Sequence, residues 1–374
     1  MVKMRIAFIA DVAYPWHVGG IEIINYNEAM ALKVSNSIDF FTMRWPGMEA
    51  GFMRNGIRYH SFGAVDKESL YSQGRRSIKK ALLFSVGLLR IFKHRFNVVI
   101  SNQFPVLHLP VLYLFCKLTR CKLVLEVVEV WDRDYWISYL GSAFGSIGYL
   151  CYSATMKVAD HYIANSSTTA DLLAGCGIER KKITVFTPIL DDKLVSGIKA
   201  RRERKIVFAG RLIKEKRLDK WLRIVNEVNK SVPIRAVIIG NGPEKAAVEK
   251  IIKELGLSEV VEMAGFFKTK KELYKEIKGA DAFLLMSERE GLGVVAVESV
   301  ALGTPVFVPD YSPLPKEVKE MCIVENEEKI PDVLKELVKS GNKAAWIRNT
   351  QNLEAFKISM IPNIYQKIFS KIGL

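Results

Sequence analysis

The segment Glu290-Gly-Leu-Gly-Val-Val-Ala-Val-Glu298 joins two carboxylates to two glycines in a pattern that can hold a phosphorylated ligand. It follows a strand pattern, Ala282 to Leu285, and opens an apolar helix that ends at Gly303-Thr304-Pro305. Gly291 and Gly293 let the backbone approach a ligand closely, and the free amides and dipole of a helix N-terminus favour a diphosphate there. Glu298 falls about one turn inside the helix, where its carboxylate can accept hydrogen bonds from both hydroxyls of a ribose. Glu290 stands ahead of the helix, facing the substituent of the phosphate. Two glutamates at this spacing are also a common loop and helix-face pair, so their company decides. A strand pattern from Ile206 to Ala209 runs into Gly210-Arg211-Leu212, with Lys216 following shortly after. Two cations at the carboxyl end of a strand are placed to stabilise charge developing on a leaving diphosphate.

The elements that must position these residues alternate between short β-rich runs and longer helical patterns, the βαβ rhythm of a parallel sheet covered on both faces. Strands are expected at Arg5 to Ala10, Asp39 to Thr42, Val98 to Ser101, Lys122 to Val128, Tyr162 to Asn165 and Ile183 to Phe186. Helices are expected at Ile21 to Lys33 and Thr168 to Ala174, with a basic amphipathic one between Gly74 and Phe96. Residues 191–204 are polar and charged and read as a linker. The rhythm restarts at Lys205, with strands at Ile206 to Ala209, Ala236 to Ile239, Val260 to Met263, Ala282 to Leu285 and Val306 to Val308. The expected division is therefore 1–190, a linker 191–204, a second domain 205–345, and helices 346–374 returning to the first. Two doubly wound α/β domains in tandem place ligands where strand carboxyl ends open into the crevice between them.

Gly210-Arg211-Leu212 with Lys216, Ile239-Gly-Asn-Gly-Pro243, and Glu290-x7-Glu298 with Gly303-Thr-Pro305 together resemble the ordered motif set of the family 4 (GT4) glycosyltransferases. In the first domain, Tyr14-Pro15 and Gly19-Gly20-Ile21-Glu22 are similar to that family's glycine loop, which lies beside the donor phosphates. The resemblance spans about the whole chain and is firmest from Ile206 to Pro309. It implies the GT-B fold, two tandem Rossmann-like domains, and a nucleotide-diphosphate sugar, UDP- or GDP-linked, as co-substrate. It gives Glu290 the hydroxyls of the donor sugar, Glu298 the ribose, and Arg211 and Lys216 the diphosphate. The amides of Leu292, Gly293 and Val294 complete the cradle, and Gly265-Phe266-Phe267 borders the nucleobase. It also implies transfer with retained anomeric configuration and without a metal or other cofactor, the leaving phosphate taking the acceptor's proton.

The chain departs from the family pattern at three places. Val128 stands where many members carry a histidine, with Glu129 and then Trp131 beyond it; a branch acting on lipid-linked sugar acceptors has a similar acidic residue followed by Trp, so Glu129 and Trp131 are taken as acceptor-side residues. Thr187-Pro188 replaces an Asn-Gly pair, and Arg217 replaces the glycine after the motif lysine. Asp132-Arg-Asp134 formally matches a metal-binding DxD but belongs to a different fold context, and the flanking Trp residues point to acceptor contacts or packing instead of a metal.

With 374 residues, 49% hydrophobic, the chain can bury two cores, and no segment is apolar-poor enough to be disordered. Cys116, Cys121, Cys151, Cys176 and Cys322 show no paired spacing and are expected as free thiols. No cleavable signal pattern follows Met1, so synthesis in the cytoplasm is expected. The net charge of +15 concentrates in part between Arg75 and Arg95, where basic and apolar residues interleave. That stripe suits an anionic membrane surface, making the protein peripheral on the cytoplasmic face of the cell membrane and near a lipid-linked or other glycan acceptor. The uncharged runs Asn97 to Cys116 and Tyr135 to Met156 approach membrane-spanning length, but their prolines, glycines and polar residues fit buried elements better. No nucleic-acid motif accompanies the charge. The first βα loop lacks GxGxxG, against a nicotinamide enzyme. An epimerase or a non-transferring sugar-nucleotide binder of the same fold remains an alternative.

Overall fold

The computed structural model describes residues 3–17, 19–66, 70–72 and 75–374, apart from the side chains of residues 71, 72, 75, 76 and 139. The chain forms two compact units, 1–189 with 358–374, and 190–357.

In the first unit, β1 (Arg5–Ile9) leads to α1 (Gly20–Leu32). Then come β2 (Ser37–Met43), β3 (Gly51–Arg54) and β4 (Ile57–Phe62). After α2 (Ile78–Gly87) follow β5 (Val98–Asn102), α3 (Leu109–Thr119) and β6 (Lys122–Val127). A helical pair, α4 (Arg133–Leu140) and α5 (Ser142–Thr155), precedes β7 (His161–Ala164), α6 (Ser167–Gly175) and β8 (Ile183–Val185). The strands form one sheet in the order β8-β7-β6-β5-β1-β2-β4-β3, parallel except for β3 against β4. The central strand β1 is buried almost throughout, which is why Ile6-Ala-Phe-Ile is a continuous apolar run and not an alternating one.

The second unit opens on the short helix α7 (Asp192–Gly197) and continues with β9 (Lys205–Ala209), α8 (Leu218–Asn229), β10 (Arg235–Ile239) and α9 (Lys245–Glu254). It goes on through β11 (Val261–Gly265), α10 (Lys270–Gly279), β12 (Ala282–Leu284) and α11 (Val294–Ala301). It closes with β13 (Val306–Pro309), α12 (Lys316–Lys319), β14 (Ile323–Glu325) and α13 (Ile330–Ser340). Its parallel sheet runs β11-β10-β9-β12-β13-β14. The order reverses at β9, so the loops after β9 and β12, which carry Arg211 and Glu290, leave neighbouring strands at the same end.

Two boundaries fall elsewhere than the sequence suggests. Residues 190–204 are docked on the second unit: Ile198 is buried, Arg202 pairs with buried Asp281 at 2.5 Å, and the amide of Glu203 donates to the Gly279 carbonyl. Residues 346–357 also stay there, with Leu353 and Phe356 buried and the Asn349 and Asn352 amides donating to the carbonyls of Glu320 and Glu317. The last helix, α14 (Ile361–Lys371), and the turn Ile358–Met360 before it join the first unit, packing on α1, with Ile361, Tyr365, Ile368 and Phe369 buried in its core. Among the described residues no helix is long and apolar enough to cross a membrane. The run Asn97 to Cys116 becomes β5 and part of α3, and Tyr135 to Met156 becomes α4 and α5.

Beneath α14 lies a buried carboxyl pair. Glu28 on α1 is fully enclosed, and burial followed by repulsion from Glu126 on β6 raises its pKa well above the ordinary carboxylate value. Burial raises Glu126 as well, and the Tyr365 hydroxyl donates to its Oε1 at 3.3 Å. Because the folded state holds these groups protonated, their stabilising effect is complete below the normal carboxylate range and is lost as pH rises through the raised values. Glu28→Gln should therefore raise the Tm at pH 8 by an amount set by about 1.4 kcal/mol per unit of the raised pKa, and the gap to wild type should close toward pH 4 in calorimetric scans.

Candidate active site

Strand β9 carries the chain into Gly210-Arg211-Leu212, where the Gly210 amide donates to the Ile239 carbonyl and the Leu212 amide to the Asn241 carbonyl. The loop then makes a single 3-10 turn, Lys214–Lys216. Arg217 sits in the left-handed region at φ 48°, which explains why glycine suits this position. Arginine tolerates it here through a two-pronged pair with Asp219 (3.0 and 2.8 Å) and a second pair with Glu288. The same arginine therefore ties the start of α8 to the loop after β12.

That loop brings Glu290 to Lys216. Their side chains pair directly, both largely buried, and the Ser287 hydroxyl donates to the same Glu290 oxygen at 3.0 Å. The Glu288 amide donates to the Glu215 carbonyl, so the two loops are also joined through backbone. Gly293 caps α11 at φ 75°, and a β-carbon there would lie 2.2 Å from Leu314 Cδ2. The first bond of the helix runs from the Ala296 amide to the Gly293 carbonyl, so the amides just ahead of it are left for an outside acceptor. Arg211, Lys216, Glu290, Leu292, Gly293 and Val294 line one open pocket of about 470 Å³, a volume suited to a small-molecule ligand.

Glu298 lies further along α11, 2% exposed. Its Oε1 accepts from Lys270 Nζ at 2.8 Å and from the Tyr274 hydroxyl at 2.7 Å. Burial, then the Glu298 charge, raises the pKa of Tyr274, so its hydroxyl stays a donor. Sequence reasoning did not find these two residues. Their spacing puts them on one face of α10, but nothing in the sequence says that this face meets α11. A bulge between Ile238 and Ile239 shifts the β10–β11 register, and Gly265 at φ 71° turns Phe266 outwards, 80% exposed.

The remaining candidates lie in the first unit. Gly19 precedes α1, and a β-carbon there would lie 2.3 Å from Glu22 Oε2; Gly20 begins the helix with open space around it. Glu22 Oε1 lies 3.2 Å from His17 Nδ1. Glu129 accepts from Trp131 Nε1 at 2.8 Å, and Trp131 packs on Phe104, Tyr135 and Trp136. The Asp132 carboxylate caps α4, accepting from the Tyr135 amide at 2.8 Å. Among the described residues no group of three or more His, Cys, Asp or Glu is placed to hold a metal ion. The five cysteines are free thiols.

Comparison with known proteins adds to this geometry. Residues 18–194 match the family model described as glycosyltransferase family 4, and residues 193–353 the model described as glycosyl transferases group 1. An uncharacterized glycosyltransferase of Methanocaldococcus jannaschii is 33% identical over 119 residues, 31% of this chain and 30% of that protein. The O-antigen biosynthesis glycosyltransferase WclY of Escherichia coli is 23% identical over 312 residues, 79% of this chain and 86% of its own length. The crystal structure of Anabaena HepE in complex with UDP superposes with a TM-score of 0.71 at 14% identity, covering 98% of this chain and 100% of that one.

Gly293→Ala should force the left-handed cap and displace Leu314, lowering stability of the second unit by about 1–3 kcal/mol in urea denaturation, while Gly20→Ala, with room for its methyl group, should stay near wild type.

Proposed function

The chain belongs to family 4 of the glycosyltransferases and has their GT-B fold, and from that membership we propose that it moves a sugar from a UDP- or GDP-linked donor to a hydroxyl of a lipid-linked or cell-surface glycan. The observation that carries this reading is the pocket at the head of α11, which gathers two cations, a carboxylate and free helix amides in one place. The diphosphate sits on the amides of Leu292 to Val294 with Arg211 and Lys216 beside it, as helix N-termini and paired cations favour. Glu290 takes the sugar hydroxyls, its carboxylate aimed by Lys216 and Ser287. Glu298 takes the ribose, with Lys270 and Tyr274 occupying one of its oxygens. Phe266, so exposed, offers a ring to the base.

Transfer proceeds with retention. The bond from the anomeric carbon to the phosphate oxygen breaks while the acceptor oxygen bonds to that carbon on the same face, and the leaving phosphate takes the acceptor's proton. No protein nucleophile is used, and charge on the leaving group is met by Arg211 and Lys216 in place of a metal. The acceptor is handled in the first unit, at Glu129 and Trp131. The protein attaches to the cytoplasmic face of the membrane through the basic stripe of α2 and the turn after it, where Lys79, Arg90, Lys93 and Arg95 are exposed above buried Phe84, Leu88 and Ile91. The side chains of Arg75 and Arg76, part of the same stripe, lie outside the described residues.

A thermal-shift and hydrolysis screen against UDP-, GDP-, ADP- and dTDP-sugars tests the reading. One nucleotide series should stabilise the protein, and Glu298→Ala should abolish that shift. Tyr274→Phe should weaken nucleotide binding about 3–10-fold in titration calorimetry, the loss of one charge-assisted hydrogen bond. Lys216→Ala should lower kcat about 10²–10³-fold. A protein that responds to no nucleotide sugar is not a sugar-nucleotide transferase.

A further inference from the structure

The first unit leaves an apolar surface uncovered. The crossings from β4 to β5, β5 to β6, β6 to β7 and β7 to β8 all step the same way along the sheet, so right-handed connections put α2, α3, α5 and α6 on one face. α2 packs on the 3-10 turn Val106–His108 that leads into α3. The β1 to β2 crossing steps the opposite way, which puts α1, with α14 packed on it, on the other face.

Of these helices α2, α3 and α5 turn large apolar side chains outwards, Val86 on α2 and Leu118 on α3 among them. The feature is strongest on α5. No charged residue occurs from Tyr135 to Met156, yet only Gly145 and Tyr152 of α5 are buried. Gly145 and Gly148 face α4, where a β-carbon at 148 would come within 2.8 Å of the Trp136 ring. Phe144 (74% exposed), Ile147 (58%) and Leu150 (67%) recur at helical spacing. Single exposed apolar residues are ordinary, but an exposed helix without any charge calls for a covering partner.

Charge identifies that partner. Every charged residue from Leu70 to Leu125, the segment holding α2 and α3, is Lys or Arg. A second copy of the chain would set this positive layer against itself, whereas an anionic bilayer complements it. Trp131 and exposed Tyr135, in ring contact at the start of α4, are residue types that favour the headgroup level. We propose that α5 inserts its Phe144, Ile147 and Leu150 face into the acyl-chain region of an anionic membrane while the basic layer rests on the headgroups. This extends the membrane attachment proposed above, which rests on charge alone, by a second, hydrophobic component. α5 is too short to span and long enough to lie in the interface.

The two components separate by salt, because screening weakens contacts to headgroups and leaves acyl-chain burial intact. Full-length protein is floated with phosphatidylcholine vesicles containing phosphatidylglycerol, at low and high salt. Wild type should stay partly bound at high salt. Phe144→Ser/Ile147→Ser/Leu150→Ser should still bind at low salt and lose roughly tenfold or more of the high-salt partitioning. Lys79→Glu/Lys93→Glu should do the reverse, losing low-salt binding while the salt-resistant fraction remains. Unchanged circular dichroism and an unchanged nucleotide-induced thermal shift establish that the triple variant is folded. Equal high-salt binding by the triple variant overturns the proposal. So does complete release of wild type at high salt, which leaves attachment by charge standing. A dimer in sedimentation that the triple substitution disperses, with vesicle binding unaltered, makes the occupant a second copy and also overturns it. None of these outcomes bears on the nucleotide screen.

Discussion

In the second unit two strand ends meet with no side chain between them. A β-carbon at Gly240 would lie 1.9 Å from the Gly210 carbonyl oxygen, and one at Gly242 would lie 2.3 Å from that of Leu212. Only glycine permits so close an approach of two backbones, and Gly240, at φ 143°, also takes a conformation other residues avoid. The amide of Leu212 bonding to Asn241 depends on that contact, and it fixes the path of the loop that delivers Arg211 and Lys216. Were the loops pushed apart, Lys216 would lose Glu290, and the pocket would lose the pairing of one of its cations with its carboxylate.

The acids of the two units are stabilised in opposite ways. Glu290 and Glu298 each keep a lysine and a hydroxyl as partners, Lys216 with Ser287 and Lys270 with Tyr274. Donors of this kind leave a carboxylate available to a polar ligand. Glu28 and Glu126 face one another with Tyr365, with no cation beside them among the described residues, and burial holds their protons on. The first arrangement suits recognition of hydroxyl groups. The second anchors α14 to α1 and β6.

Much of this was legible beforehand because its causes are local. The period of Leu218, Trp221, Leu222, Val225 and Val228 marks α8, and all five are buried. Apolar runs mark the parallel strands of both sheets to within about two residues, the usual uncertainty of element ends, except β4, parallel to β2, and the short edge strand β14, parallel to β13, which were not anticipated. The antiparallel β3–β4 pair was missed although Asn55-Gly56 is a two-residue hairpin signal and Ile57-Arg-Tyr-His alternates; β3 itself is mostly exposed and carries little apolar signal. The stretch 190–204 misled because its anchors are scattered: isolated buried Leu190 and Ile198 and an arginine with a buried aspartate leave no apolar period to read.

The sequence alone determined which residues stand at strand ends and helix starts, because hydrophobic period and glycine placement act over a few neighbours. It thereby determined the two-unit α/β plan and the motif positions Arg211, Lys216, Glu290 and Glu298. Tertiary structure decided what each of those residues touches. That Lys270 and Tyr274 hold Glu298, that Arg217 survives a glycine position through Asp219 and Glu288, and that α5 turns its apolar side outwards all depend on contacts between segments far apart in the chain. Such contacts follow from how helices and loops pack across a sheet, and no local pattern encodes the partner.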